Sequence, residues 1–208
     1  MVNYQKPEET IMRLVQNTGV VRAREIRQAG LHPEYLRRLC EKGLLIRSGR
    51  GLYISADCDV TESHDFAQAA KRVPHGVICL LSALVYHHIG TQNPHQIWMA
   101  VDRRVRKPKV DFPPLRIFRF SGQAMDLGVE EKVVEGVPVR IYNPAKTVAD
   151  CFKYRNKIGL DVALEALKEC LRERKCTSDE LWHFAQVCRV AKIMRPYMEA
   201  MILLSGMP

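Results

Sequence analysis

The sequence lacks the features of membrane and secreted proteins. No apolar run approaches the roughly 18–20 residues needed to cross a bilayer, and the N-terminus, MVNYQKPEETIM, has no apolar stretch of the kind that signal peptides carry. The seven cysteines are odd in number and show no CxxC spacing, which favours reduced thiols. We therefore expect a cytoplasmic protein with no membrane partner.

Motifs of catalysis are also missing. The chain contains no glycine-rich phosphate loop, no G-x-S-x-G nucleophile elbow and no H-E-x-x-H zinc motif. We therefore predict no catalytic residue and no cofactor, and the protein is not expected to be an enzyme.

Two weaker patterns for a metal site also fail. Asp57 and Asp59 form a D-x-D with no third carboxylate at a useful spacing, so a solvated linker is the better interpretation. His87 and His88 are adjacent, and neighbouring side chains on a helix point about 100° apart. Other histidines and a thiol lie in the same region, without the paired spacing of zinc ligands: His75, His95 and Cys79. We predict no metal ligands.

Positive charge, by contrast, is abundant and unevenly spread. The formal net charge is +9, which favours a polyanionic partner. Residues 1–55 hold ten Lys or Arg against five Asp or Glu, whereas residues 56–65 hold four acidic residues and no Lys or Arg. We place a domain boundary at this change of composition. The predicted domains are residues 1–56 and residues 60–208.

The N-terminal domain is predicted to contain three helices and a hairpin. Helices are expected at residues 7–17, 23–29 and 33–42, with Pro7 and Pro33 in first turns and glycines after each helix. The following segment, LLIRSGRGLYI, has two β-prone runs around paired glycines, which can supply the positive φ angles of a tight turn. This order of elements is typical of a winged helix-turn-helix, a fold that binds double-stranded DNA.

Nine residues of this domain are predicted to contact DNA. The third helix would enter the major groove, where bases are distinguishable, and the hairpin would reach phosphates or the minor groove. The candidates are Arg22, Arg24, His32, Tyr35, Arg37, Arg38, Lys42, Arg47 and Arg50. Two alternatives stay open. Spacing of four residues allows Glu34–Arg38 and Arg37–Glu41 pairs on a solvated face, and winged helices also serve as protein-interaction modules.

The larger C-terminal part is predicted to be α+β with a helical C-terminus. Thr177 and Glu180 have the spacing of a capping box, and Asn143-Pro144 is expected to cap another helix. A turn is expected at Glu135-Gly136 between two strands. Helices are expected at residues 65–73, 78–89, 144–156, 160–173 and 194–204, and further strands at 97–101 and 115–120.

Three stretches of the chain resemble a known family. They are IRSGRGLYIS, SALVYHHIG and YNPAKTVADCFKYRNKIGLDVALEALKE, within residues 8–175. With an N-terminal winged helix, they are similar to AbiEi-type abortive-infection antitoxins of two-gene toxin–antitoxin systems. The resemblance implies an autorepressor that binds inverted repeats in its own promoter, which suits a homodimer on DNA. It also implies a cognate toxin of nucleotidyltransferase type as partner, countered by the C-terminal domain.

Seven C-terminal residues are candidates for antitoxin function. They are Arg103, Arg104, Arg106, Lys107, Lys146, Thr147 and Asp150. The first four belong to a basic run, which is also typical of a solvated loop and has few flanking aromatics for base stacking. The last three lie at the start of a helix in the most family-like stretch. There Lys146 and Asp150 can form an intrahelical pair and Thr147 can bond back to a carbonyl, so a structural role is the alternative.

Two other functions remain open from the sequence. One is an ordinary winged-helix regulator whose C-terminal domain senses a ligand. The other is an enzyme, such as a nuclease, tethered to DNA by the N-terminal domain, although no clustered carboxylates support it.

Overall fold

The computed structural model describes residues 6–57 and 63–205. These residues form two compact units. The first unit contains the described residues up to Pro74, together with Lys109–Pro114 and Lys132–Val139. The second contains His75–Pro108, Leu115–Glu131 and the described residues from Arg140 onward. The division of function between residues 1–56 and residues 60–208 stays a prediction.

The first unit contains short helices and a small sheet. Its elements are α1 (Pro7–Thr18), β1 (Val20–Arg22), α2 (Ala23–Gln28), α3 (Glu34–Glu41), β2 (Leu45–Gly49), β3 (Leu52–Ser55) and α4 (His64–Arg72). The three helices and the hairpin predicted for the N-terminal residues are therefore present. The predicted helix at residues 65–73 is α4.

Apolar residues at helical spacing build the core of this unit. Ile11 and Val15 lie on one face of α1, and Leu36 and Leu39 lie on the inward face of α3; all four are buried. They pack in one cluster with Val21, Ile26 and Leu45. This packing leaves the polar face of α3 to solvent, which positions its charged residues for recognition.

The sheet of the first unit has the order β1-β3-β2 with antiparallel neighbours. The turn between β2 and β3 uses the positive φ of Gly51, +70°. Gly49, the other glycine of the predicted pair, does not have a positive φ; it lies beside a β-bulge, where an added Cβ would sit 3.1 Å from an Arg72 guanidinium nitrogen. Gly51 therefore supplies the turn conformation, and Gly49 leaves space for the Arg72 side chain.

The second unit surrounds a mixed sheet with helices. Its elements are β4 (Val77–Ile78), α5 (Leu80–Tyr86), β5 (Ile97–Asp102), β6 (Leu115–Phe120), α6 (Gln123–Asp126), β7 (Val129–Val134), β8 (Val137–Tyr142), α7 (Pro144–Lys153), α8 (Arg155–Ile158), α9 (Leu160–Arg172), α10 (Ser178–Val187) and α11 (Ala191–Ser205). Within β7 and β8, Lys132–Val139 belongs to the first unit. The sheet order is β6-β5-β4-β8-β7, with parallel β5–β6 and β4–β8 pairs and an antiparallel β4–β5 pair. The predicted α+β class with a helical C-terminus is confirmed.

The β7–β8 hairpin ends in the predicted two-residue turn. Glu135 and Gly136 have φ of +49° and +72°, as a tight hairpin requires. The tip belongs to the first unit, where a Cβ on Gly136 would lie 2.6 Å from the carbonyl oxygen of Asn17. The buried Glu135 carboxylate also lies 2.6 Å from Nδ1 of His64 on α4. The turn is therefore fixed by its neighbours as well as by its own conformation.

Two predicted helices, at residues 78–89 and 144–156, are shorter in the structure. The apolar run at residues 78–89 begins as strand β4, because Ile78 pairs with Met99 of β5 and Ile141 of β8, and helix α5 starts only at Leu80. An apolar run looks alike in a buried strand and a buried helix, so its pattern could not separate them. The helix expected at residues 144–156 ends at Lys153 and is followed by the separate α8.

The predicted helix caps are confirmed. The Asn143 side chain accepts a hydrogen bond from the backbone N–H of Lys146 at 2.8 Å, with Pro144 at the first helical position of α7. Thr177 and Glu180 form a reciprocal capping box before α10. These caps fix the starts of two helices that carry charged groups of the second unit.

The cysteines depart from the expectation of reduced thiols. Cys170 and Cys176 are paired as a disulfide, with Cα atoms 6.0 Å apart, so the expectation is wrong for this pair. Of the other cysteines within residues 6–57 and 63–205, four are free: Cys40, Cys79, Cys151 and Cys188. In the part of the chain that the structure describes, no helix is both long and apolar enough to span a membrane.

Candidate functional site

The outward face of α3 carries two arginines in different states. Arg37 is held by ion pairs to Glu34 and to Glu41, the latter at 2.6 Å. Arg38 forms no ion pair within the described residues, and its guanidinium carbon lies 5.6 Å from the ring centroid of Tyr35. Glu34 therefore pairs with Arg37, three residues away, and not with Arg38, four residues away, so Arg38 stays available to a ligand.

The pKa shifts of Glu34 and Arg37 are those expected of an ion pair. The hydrogen bond from Arg37, together with the positive charge of Arg37, lowers the pKa of the Glu34 carboxyl. The same hydrogen bond, together with the negative charges of Glu34 and Glu41, raises the pKa of Arg37. Because its pKa is lowered, Glu34 stays ionised at neutral pH, and its negative charge balances the positive charge of Arg37. The predicted Arg37–Glu41 pair is confirmed.

The two ends of α3 are held by local contacts. His32 accepts a hydrogen bond at Nδ1 from the backbone N–H of Glu34 at 3.2 Å, just before the first turn. Lys42, after the last turn, is paired with Glu8 of α1 at 2.6 Å. Both residues are exposed, and contact with DNA remains a prediction for each of them.

The two arginines at the start of α2, Arg22 and Arg24, differ in exposure. Arg22 donates a hydrogen bond to the carbonyl oxygen of Lys71 at 2.6 Å, and burial, with Arg24 and Arg72 nearby, lowers its pKa. Arg24 is exposed. Arg22 therefore holds α4 against the end of β1, and of these two predicted DNA contacts Arg24 is the more accessible.

The β2–β3 hairpin presents two exposed arginines. Arg47 Nε lies 3.4 Å from the carbonyl oxygen of Gly49, a long contact within the hairpin itself. Arg50 lies in the turn between the strands. Neither side chain forms an ion pair within the described residues, so both are free to reach a polyanion.

In the second unit, the predicted basic run is a loop after β5. Arg103, Arg104, Arg106 and Lys107 are all exposed. Arg104 is paired with Asp102 at 2.9 Å, and its hydrogen bonds lower the pKa of that carboxyl to about 2. Arg104 is therefore a solvated loop residue paired within the protein, whereas Arg103 lines a cleft of the second unit.

Lys146, Thr147 and Asp150, by contrast, lie in the core. All three are fully buried on α7. The Lys146 ammonium lies 2.5 Å from the Asp150 carboxylate, and the Thr147 hydroxyl donates to the carbonyl oxygen of Tyr142 at 3.2 Å. The intrahelical pair and the back-bond predicted for them are both present. A partner cannot touch these side chains directly in this conformation, so any antitoxin role would act through the position of α7.

Aromatic rings and thiols enclose this buried pair. The Lys146 ammonium lies 4.1 Å from the Tyr142 ring centroid and 5.0 Å from that of Phe120. Cys188 Sγ donates to Asp150 at 3.2 Å, and burial, together with that carboxylate, raises the pKa of Cys188 to about 12. Burial also raises the pKa of Asp150. The cluster joins α7 to the end of α10 through one satisfied charge pair.

A basic cleft in the second unit was missed in the sequence. It brings Arg103 together with Lys153, Arg155 and Arg189, and only the first of these was singled out as a candidate. The four side chains are separated by up to 86 positions and come from different elements. No local motif could reveal them, although the density of cations in the family-like stretch FKYRNK was a partial signal.

The candidate metal patterns give no cluster. Asp59 lies outside the described residues. His87 Nε2 is hydrogen-bonded to the carbonyl oxygen of Tyr142 at 2.7 Å, so this nitrogen already has a partner within the protein. Across residues 6–57 and 63–205, no group of three or more His, Cys, Asp or Glu residues is placed to hold a metal ion.

Comparisons with known proteins give one family and one fold. A crystal structure of the RV2827C protein from Mycobacterium tuberculosis is similar in fold, with a TM-score of 0.62 at 13% sequence identity, covering 92% of this chain and 75% of that one. No curated protein matches the chain. A family described as a transcriptional regulator, AbiEi antitoxin, matches residues 9–56, the segment that holds α3 and the β2–β3 hairpin. Residues 9–56 thus match the family of AbiEi antitoxin transcriptional regulators, and the resemblance found in the sequence is confirmed over that segment.

Proposed function

We propose that this protein is a transcriptional autorepressor and antitoxin whose N-terminal residues form a winged helix-turn-helix. In this proposal α3 is the recognition helix, and the β2–β3 hairpin is the wing. The protein binds an inverted repeat in its own promoter as a homodimer. It acts without catalysis, in the cytoplasm, as part of a toxin–antitoxin system for phage defence.

One observation carries the proposal. Within the segment that matches the antitoxin family, Arg38 is exposed on α3 without an ion pair in the described chain, while the neighbouring Arg37 is neutralised by two carboxylates. Arg38 lies in the last turn of α3, and arginine is the side chain that most often makes specific contacts with guanine in the major groove. Exposed Arg47 and Arg50 on the hairpin supply cations for flanking phosphates.

The remaining predicted contacts divide by their surroundings. Tyr35 supports Arg38 through its ring, and exposed Arg24 is free for a phosphate. Arg22, His32, Arg37 and Lys42 make contacts inside the unit that shape the surface. We propose that these four position the interface more than they bind DNA.

The operator experiment is a titration of the full-length protein against two duplexes. One carries the inverted repeat of its own promoter, and the other carries a scrambled sequence of the same composition. We expect tighter binding to the promoter, with affinity falling as salt rises by a log–log slope of about −0.9 per phosphate contact. Equal affinity for the two duplexes at both salt concentrations would overturn the repressor proposal.

For the antitoxin role, we propose that the C-terminal domain counters a nucleotidyltransferase-type toxin encoded next to this gene. The exposed cations Arg103, Arg106 and Lys107 are candidates for contact, while Lys146, Thr147 and Asp150 hold α7 in place. Co-expression of this protein with the neighbouring gene should restore growth. No rescue by a soluble, full-length protein would contradict this role.

A second candidate function is a ligand-responsive regulator. The observation that favours it is the basic cleft of the second unit, which has the size of a small-molecule site. Gene context separates the two candidates, because an adjacent nucleotidyltransferase-like gene is expected only for an antitoxin.

A further inference from the structure

A cleft of about 970 Å³ opens on the second unit. Its lining comes from the loop after β5, the β6–α6 connection, the end of α7 with α8, and the junction of α10 with α11. Four residues that are cationic at neutral pH line it, together with His183: Arg103, Lys153, Arg155 and Arg189. Like charges gathered around one cavity repel one another, so the arrangement indicates an anionic ligand.

None of the residues that line the cleft is acidic. Three carboxylates lie close by, and none of them lines the cleft. Asp126, between the lining residues Ala124 and Leu127, interacts electrostatically with Arg104. The other two are already hydrogen-bonded. Asp102, the neighbour of Arg103 in sequence, accepts hydrogen bonds from Arg104 with both of its oxygens. Asp150, behind the cleft, is bonded to Lys146 and to Cys188. The cations of the cleft are therefore not neutralised by the protein's own acids.

The state of these arginines contrasts with others on the surface. Exposed Arg37, Arg172 and Arg195 are each paired with a glutamate. Within the described residues, the guanidinium groups of Arg103 and Arg189 neither donate a hydrogen bond nor form an ion pair. The cleft therefore keeps donors with the geometry that suits phosphate oxygens.

The rest of the lining is not charged. Leu127, Val187 and Ile193 offer apolar surface, and Gln123 and Gln186 carry amides that can both donate and accept hydrogen bonds. A phosphate ion needs no such surface, whereas a purine or pyrimidine has a flat apolar face and a polar edge that match it. A cavity this size falls in the range of small-ligand sites.

We propose that the cleft binds a nucleoside triphosphate, with its phosphate chain on the four cations and its base against the apolar and amide side. Phosphate oxygens accept hydrogen bonds from the guanidinium groups, and the clustered cations balance the ligand's charge. Operator binding through α3 is a separate matter, so this proposal and the proposed DNA-binding function succeed or fail independently.

Two arginines give a matched pair of variants. Arg189 and Arg174 are both exposed, and both follow a helix end with positive φ, +60° and +54°. Only Arg189 lines the cleft. Because glycine adopts positive φ without steric cost, Arg189→Gly and Arg174→Gly each remove one charge and keep the fold. Thermal unfolding of both full-length variants checks that they are folded.

The experiment measures binding of ATP to the full-length protein by calorimetry. We expect saturable binding by the wild-type protein and by Arg174→Gly. Arg189→Gly should weaken binding by about ten-fold or more, because hydrogen bonds to charged groups are worth about 1.5–3 kcal/mol. Sodium tripolyphosphate should bind more weakly than ATP, because it lacks the base.

Four outcomes would overturn the proposal. They are no ATP binding at millimolar concentration, equal loss of affinity in both variants, tripolyphosphate binding as tightly as ATP, and tighter binding of a single-stranded oligonucleotide that Arg189→Gly abolishes. The last result would assign the cleft to a polynucleotide. Operator affinity, measured on the same samples, should be unchanged by Arg189→Gly, so loss of the cleft is distinguishable from loss of DNA binding.

Discussion

The α3 face and the α7 cluster hold charged groups at helical spacing, and they use them in opposite ways. On α3, Arg37 and Arg38 point to solvent and the apolar residues point inward. On α7, Lys146 and Asp150 are fully buried and bonded to each other. Charges that face solvent can be lost with little effect on folding, whereas a buried charge left alone is costly. We therefore expect substitutions on the α3 face to change ligand binding, and substitutions in the buried α7 pair to change the free energy of unfolding.

The largest expected effect comes from breaking the buried pair. Asp150→Ala leaves the Lys146 ammonium without its carboxylate in the core, so the free energy of unfolding should fall by about 3–5 kcal/mol. Urea unfolding of the full-length protein measures it. The double variant Lys146→Met/Asp150→Leu, which removes both charges, should recover most of the loss. A loss below about 1 kcal/mol in Asp150→Ala would place this pair with surface ion pairs instead.

On α3, the effect should appear in binding and not in stability. Arg38→Ala should cost roughly 1–3 kcal/mol at the operator and much less on scrambled DNA. Arg37→Ala is the matched control, because that arginine is already paired with Glu34 and Glu41. Titrations of both variants against the two duplexes measure the ratio of affinities. An unchanged ratio in Arg38→Ala would show that Arg38 does not read bases.

The hairpin should contribute affinity without sequence preference. Arg50 lies in the turn between β2 and β3 and suits a phosphate contact. Arg50→Ala should weaken operator and scrambled DNA alike and reduce the salt slope by about one unit. Arg174→Gly, which removes one charge from the other unit, should leave both affinities nearly unchanged. A selective loss at the operator alone would move Arg50 into the base-reading group.

The smallest effect concerns the exposed Asp102–Arg104 pair. The pKa of the Asp102 carboxyl is lowered to about 2 by hydrogen bonds from Arg104. A lowered pKa in the folded protein means that this pair contributes above the ordinary carboxyl pKa, and its contribution disappears as pH falls toward 2. In Arg104→Ala the pKa should return toward 3.8. An NMR pH titration of the Asp102 side chain follows it; the same low pKa in the variant would assign the shift to another group.

Local pattern explains what the sequence predicted well. Pro7 and Pro33 located the starts of α1 and α3, and the cap residues Asn143 and Thr177 located two further helix starts. Each of these features depends on residues within a few positions of one another. The pairing of Glu34 with Arg37, and not with Arg38, depends on rotamers that spacing alone does not decide.

Long-range contacts explain what the sequence did not predict. Strand β4 exists because β5 and β8 pair with Ile78 on both sides. The burial of Lys146 follows from packing around α7, since an isolated helix with this pair would expose both charges. The basic cleft combines Arg103 with Arg155 and Arg189, which only the tertiary fold brings together.

The most direct test of α3 as a recognition helix removes one acceptor at a time from the operator. Each guanine of the inverted repeat is replaced by 7-deazaguanine, which lacks the N7 acceptor in the major groove, and affinity is measured with the wild-type protein and Arg38→Ala. We predict one position in each half-site where the replacement weakens the wild-type protein but leaves Arg38→Ala unaffected, because the same contact has already been lost. Additive losses at every guanine would contradict the claim that Arg38 reads the major groove.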